Sequence, residues 1–167
     1  MLLIIVEGPD NSGKTTLAIH LQEVFSLDYT HCSKPKTDNP YIEYCELVDS
    51  IKTPTVIDRA HLGEYVYSKL WRDGCSISEK KFQDLDFKFM DKFQHVFVVH
   101  CDAPTDIIIE RCIKEKEDLL DIKDVQKCRD LFDEIMLKTH IPIVYYDSSC
   151  QSPEDVSKKI CLLRVNQ

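Results

Sequence analysis

The chain has 167 residues, a formal net charge of −8, 43% apolar residues and 30% charged residues. That length suits one domain able to bury a full core without disulfides or metal, and the composition is that of a globular rather than a disordered or fibrous protein. The acidic balance argues against duplex nucleic acid as the main partner, because a phosphate backbone demands a basic face. No apolar run approaches the length of a membrane span.

The chain alternates strands and helices. Leu2 to Val6 is a continuous apolar run, as expected of a strand buried in a parallel sheet. Gly8-Pro9-Asp10-Asn11-Ser12-Gly13-Lys14-Thr15 follows and fits the phosphate-binding pattern G-x-x-x-x-G-K-[ST]. From Thr16 to Phe25, Leu17, Leu21, Val24 and Phe25 recur at helical spacing. Tyr29 to Cys32 is a short second strand, and Ser33 to Pro40 a polar loop with two prolines and two lysines. The pattern then predicts a helix over Tyr41 to Ile51, a strand over Thr55 to Ile57 and a helix over Ala60 to Arg72, broken at Asp73-Gly74.

Ser76 and Ser78 offer N-caps for a helix reaching about Phe93. His95 to Cys101 is a strong strand, Pro104 opens a helix to about Lys116, and Lys114 to Asp118 reads as a charged loop or lid. Ile122 to His140 reads as a long helix, Pro142 to Tyr146 as the last strand, and Pro153 to about Leu163 as the closing helix. Five strands alternating with helices predict an α/β fold: a five-stranded parallel sheet with helices on both faces, in a single P-loop domain over residues 1–167 with a short lid around 111–120.

The eight cysteines form no C-x-x-C pair and no Cys/His group with zinc spacing. Met1 leads straight into an apolar strand with no basic leader. Free thiols and a cytoplasmic location are the resulting expectation, with Cys101 and Cys112 acting as small buried apolar residues.

In an open parallel sheet, ligands sit at the carboxyl ends of the strands. At the first such end, the glycine loop and the following helix would aim backbone N–H groups of Gly8, Asn11, Ser12, Gly13, Lys14, Thr15 and Thr16 at phosphate. Lys14 would reach the outer phosphates and Thr15 would ligate Mg²⁺. At the third, Asp58 could hold Mg²⁺ and Arg59 could clamp a second phosphate through its planar fork. After the fourth, Arg111, Lys114 and Lys116 could close over the phosphates as a lid. Lys34 after the second strand and Arg72 after the third are further cations for an acceptor. Tyr41, Tyr44, Tyr65 and Trp71 are candidates for contact with a base, with core packing the competing reading.

The run Val6-Glu7-Gly8-Pro9-Asp10-Asn11-Ser12-Gly13-Lys14-Thr15-Thr16 resembles the thymidylate kinase signature, in which E-G-x-D precedes the phosphate loop. Asp58-Arg59 resembles the D-R motif of that family, Ala103-Pro104 to Glu110-Arg111 its helix leading into the lid, and Ser152 to Val156 its final helix start. The resemblance implies a P-loop nucleoside monophosphate kinase that moves the γ-phosphate of Mg-ATP to a nucleotide, often as a homodimer. It further implies that Asp10 contacts the acceptor sugar, Arg59 grips the acceptor phosphate, Asp58 serves the metal and Arg111 reaches the donor.

Two departures stand out. Where family members carry R-E-P, this chain has Ser33-Lys34-Pro35, and where one branch places an arginine after the loop aspartate, Asn11 stands here. The missing glutamate removes the base that related deoxynucleoside kinases use on a sugar hydroxyl, which favours a phosphate acceptor.

The leading expectation is therefore ATP-dependent phosphorylation of a pyrimidine nucleoside monophosphate such as dTMP, with Mg²⁺ as cofactor. A hydroxyl acceptor on a nucleoside, a modified base or DNA is the alternative, and an ATP-binding switch is a third possibility. A homodimer could use Leu62, Val66, Leu70 and Trp71 of the helix after Asp58-Arg59, although core packing explains these residues equally well.

Overall fold

The computed structural model describes residues 1–72, 77–115 and 121–165. Five strands, β1 (Leu2–Glu7), β2 (Asp28–His31), β3 (Thr55–Asp58), β4 (His95–Asp102) and β5 (Ile143–Asp147), form one all-parallel sheet in the order β2-β3-β1-β4-β5. Burial explains the order. The three inner strands are apolar on both faces, whereas β2 at one edge is polar and half exposed.

Alternate residues of the inner strands feed two cores. Leu2, Ile4, Val6, Phe97 and Val99 face α1 (Lys14–Phe25) and α7 (Pro153–Val165). Leu3, Ile5, Val96 and Val98 face the other layer. That layer comprises α2 (Pro40–Ser50), α3 (His61–Trp71), α4 (Glu79–Lys92), α5 (Thr105–Glu115) and α6 (Val125–Met136). Phe82, Phe89, Phe97 and Phe132 are fully buried, each contributing about 1.5–3 kcal/mol by leaving water.

Element ends follow local chemistry. Pro40 opens α2, and the Ser78 side chain accepts from the Lys81 N–H to cap α4 as expected; Ser76 lies outside the described residues. Ser26, at φ 51°, closes α1 in a left-handed turn. The helix predicted over Ile122 to His140 is shorter: a 3₁₀ turn occupies Ile122–Asp124, and α6 ends at Met136. There Thr139 and the His140 N–H turn to Asp86 instead of continuing the helix.

Lys114 belongs to the last turn of α5 and not to a loop, while Lys116 and the rest of the expected lid to residue 120 lie outside the described residues. Leu62 and Val66, offered for a homodimer, are fully buried in the core around α3, because α2, α4 and α6 all pack against this helix. The cysteines described are free. Among the described residues no helix is long and apolar enough to cross a membrane.

Candidate active site

The chain reverses its winding direction at β1, which lies between β3 and β4, and the crevice at that switch point is where a ligand fits. The loop from Gly8 to Gly13 crosses it. Gly8 has φ 148°, and a Cβ there would meet the Cys101 carbonyl at 1.9 Å, so β4 runs directly behind the loop. Gly13, at φ 92°, turns the loop into α1. Asn11 takes the left-handed conformation at φ 60°, which asparagine tolerates better than most residues.

Neighbouring elements fix the loop from outside. The Cys101 thiol donates to the Ser12 carbonyl at 2.9 Å, and the Asn11 amide reaches the Cys112 sulfur at 3.1 Å. Arg111 donates to the Asn11 carbonyl at 3.1 Å and to the Ser148 hydroxyl at 2.8 Å. The two cysteines are buried as expected, and both also hold the phosphate loop.

Lys14 is almost fully buried, donates to the Pro9 carbonyl, and lies 3.8 Å from Asp10. Burial and the nearby Arg59 push its pKa down, with Asp10 opposing them. The Thr15 hydroxyl donates to Asp58 at 2.8 Å. The other oxygen of Asp58 is buried without a partner among the described residues. A hydroxyl beside a carboxylate with an unspent oxygen is a hard-oxygen donor set that fits Mg²⁺. Two β2 residues that the sequence reading missed steady this carboxylate: Tyr29 donates to it at 3.0 Å, and His31 lies 3.5 Å away.

Arg59 sits at φ 72°, a conformation that costs about 1–3 kcal/mol for such a residue and is common at functional sites. Its N–H donates to the Val6 carbonyl at 3.0 Å, tying the turn after β3 to β1. The guanidinium meets Asp10 at 2.7 Å, while its Nε is buried without a partner among the described residues. Burial works against its charge, but Asp10, Tyr67 and Asp58 outweigh burial and raise the pKa. Tyr67, also missed from sequence, donates to Asp10 at 3.0 Å. Its place four residues before Trp71 puts the two on one face of α3, but that spacing does not say which cavity the face meets.

Two cavities meet at this point. One, of about 620 Å³, is lined by the phosphate loop with Lys14, Thr15, Thr16, Arg111 and Lys114. The other, of about 460 Å³, is lined by Lys34, Tyr44, Gly63, Tyr67, Trp71 and Arg72 among others. Asp10 and Arg59 line both. Lys34 reaches the second cavity from the loop after β2, and Arg72 reaches it while paired to Glu64 at 2.9 Å. Tyr65 and Tyr41 line neither cavity. The ring of Tyr65 packs in the core under Lys69, and the Tyr41 hydroxyl is spent on Asp84.

No family model matches the sequence. YorR, an uncharacterised SPbeta prophage-derived protein of Bacillus subtilis (strain 168), is 24% identical over 168 residues, which cover 98% of this chain and 99% of its own. The crystal structure of YorR in complex with phosphorylated GDP superposes with a TM-score of 0.81 over 96% of this chain and 94% of that one. Deoxyadenosine kinase from M. mycoides with bound dCTP gives 0.63 at 16% identity, over 98% and 100% of the two chains. Shikimate kinase from Acinetobacter baumannii in complex with shikimate gives 0.59 at 14% identity, over 99% and 94%. At such identities the likeness is one of fold, and it does not single out the thymidylate kinase branch. The chain has the fold of the P-loop kinases, with deoxyadenosine kinase and shikimate kinase among its structural neighbours.

Proposed function

We propose that this protein is an ATP-dependent phosphotransferase whose acceptor is a nucleoside monophosphate. The observation that carries the reading is the pair of cavities joined at Asp10 and Arg59. Phosphoryl transfer needs two anionic substrates brought end to end, and the shared wall is where the migrating group would pass.

On the donor side, the loop N–H groups and the N-terminus of α1 receive the ATP phosphates, and Lys14 turns from the Pro9 carbonyl to them. Arg111, already braced against Ser148, sets positive charge against the negative charge that the phosphate oxygens carry in the transition state. Thr15 and Asp58 would hold Mg²⁺, which supplies charge neutralisation on the donor phosphates. On the acceptor side, Arg59 exchanges part of its pairing with Asp10 for the acceptor phosphate, and Lys34 and Arg72 add further charge.

A phosphate acceptor fits better than a hydroxyl. The carboxylate at the junction, Asp10, already accepts from Arg59 and Tyr67, so its place there is to hold the cation whose planar fork suits a phosphate acceptor. The resemblance to thymidylate kinases makes dTMP the first acceptor to try. The ligands of the neighbours, phosphorylated GDP with YorR and dCTP with the deoxyadenosine kinase, widen the panel to guanine and cytosine nucleotides.

The test is ADP release from Mg-ATP with each deoxynucleoside monophosphate, each deoxynucleoside, and single-stranded DNA. Turnover with one or two monophosphates is expected, abolished in Lys14→Ala and raised in acceptor KM in Arg59→Lys. Turnover with nucleosides or DNA alone would overturn the reading.

A further inference from the structure

Trp71 is the chain's only tryptophan. It ends α3 on the wall of the acceptor-side cavity and is 47% exposed. One face of its ring is covered by Tyr67, with centroids 4.9 Å apart and planes 26° from parallel. Tyr67 is itself nearly buried, carries the Arg59 guanidinium 5.9 Å from its centroid, and donates its hydroxyl to Asp10. Arg59, Tyr67 and Trp71 thus form a ladder from the junction of the two cavities into the acceptor cavity.

We infer that the outer face of Trp71 is the stacking platform for the base of the acceptor, so that this site selects a flat heterocycle over an aliphatic or carbocyclic phosphate acceptor. The inference rests on the nucleotide-kinase reading and deepens it. A large aromatic face left on a cavity wall is an exposed cost that a stacked base removes, and stacking is tolerant of base identity. Of the other aromatic candidates, Tyr41 and Tyr65 lie outside the cavity, and Tyr44 is buried with its hydroxyl given to the Ala60 carbonyl. The ladder also links the two ends of the acceptor. A base on Trp71 restrains Tyr67, and with it the Asp10–Arg59 pair that meets the acceptor phosphate.

The test reads Trp71 fluorescence during titration with dTMP, dCMP, dGMP and dAMP, and with ribose 5-phosphate as a base-free control. At least one monophosphate is expected to quench Trp71 saturably, and ribose 5-phosphate to leave it unchanged. By calorimetry, Trp71→Ala should weaken that nucleotide roughly tenfold or more, while Trp71→Phe restores binding to within about threefold. The affinity of a non-hydrolysable ATP analogue stays unchanged in both variants, showing that the fold is intact.

Equal quenching by ribose 5-phosphate, or nucleotide binding by Trp71→Ala within about twofold of the parent, would overturn the platform while leaving the nucleotide kinase standing. Quenching and turnover with deoxynucleosides but not monophosphates would keep the platform and overturn the phosphate acceptor. Failure of every nucleotide and nucleoside to bind would overturn both.

Discussion

Glu7 closes β1 beneath the acceptor cavity and is only 1% exposed. One of its oxygens accepts from the Ala60 N–H at 2.7 Å and the Gly63 N–H at 3.0 Å, while the other is buried without a partner among the described residues. Burial raises its pKa from 4.5 to about 7, against the opposing effects of those two N–H groups, Lys14 and Arg59. A raised carboxyl pKa means that, between pH 4.5 and 7, the native state holds a proton that the unfolded chain has lost. The stabilisation is fully present below pH 4.5, declines as pH rises, and is gone above pH 7.

At about 1.4 kcal/mol per pH unit, the loss across that window is about 3 kcal/mol. Glu7→Gln keeps the size and one accepting oxygen but removes the ionisation. The stability of the variant relative to the parent should therefore climb by about 3 kcal/mol from pH 4.5 to 7.5. For a chain of this length that corresponds to a relative gain in Tm of about 6–12 °C. Urea denaturation of both proteins at half-unit pH steps measures it, and contributions of all other groups cancel in the difference. Parallel curves would refute the reasoning. A gap that moves against the variant as pH rises would show instead that Glu7 is ionised at neutral pH and serves as a charge partner of Lys14 and Arg59.

Three further outcomes follow from close contacts. Gly63→Ala would ordinarily stabilise a helix by up to about 1 kcal/mol, but its Cβ would lie 2.8 Å from the buried Glu7 oxygen. It should instead destabilise by about 1–3 kcal/mol in urea, with much of the loss recovered in combination with Glu7→Ala; a more stable single variant would sink the idea. Tyr67→Phe removes a donor from Asp10, a charge-assisted bond of about 1.5–3 kcal/mol. Acceptor KM should rise while ATP KM holds, and a change confined to ATP would contradict the ladder. Gly8→Ala must displace the Cys101 carbonyl, so nucleotide affinity should be lost in calorimetry. Parent-like affinity there would show that β4 does not run behind the loop as described.

Much of the fold was legible because its signals are local. The apolar run of β1, the glycine loop and the helical spacing of α1 lie within 24 residues of one another, and the alternation of strands with helices fixed a parallel sheet covered on both faces. The C-terminal end of α6 was not legible, because Thr139 and His140 leave the helix for Asp86, more than fifty residues away. The site divides in the same way. Gly8, Gly13, Lys14 and Thr15 could be named from their spacing, and Asp58-Arg59 from its place at a strand end.

Which aromatic faces the acceptor cavity could not be read from spacing. Tyr41, Tyr44, Tyr65 and Trp71 all sit on amphipathic helices, and only the packing of α3 against its neighbours assigns Tyr65 to the core and Trp71 to the cavity wall. Glu7 and Tyr67 were missed for the same reason, since each acts on residues more than fifty positions away. Sequence determined the covalent order of chemistry along the chain: a phosphate loop, a strand-end aspartate and arginine, and cations after the later strands. Tertiary structure alone decided which groups share a cavity and which carboxyl is pushed toward its neutral form, because burial and long-range contact are properties of the packed chain and not of any segment within it.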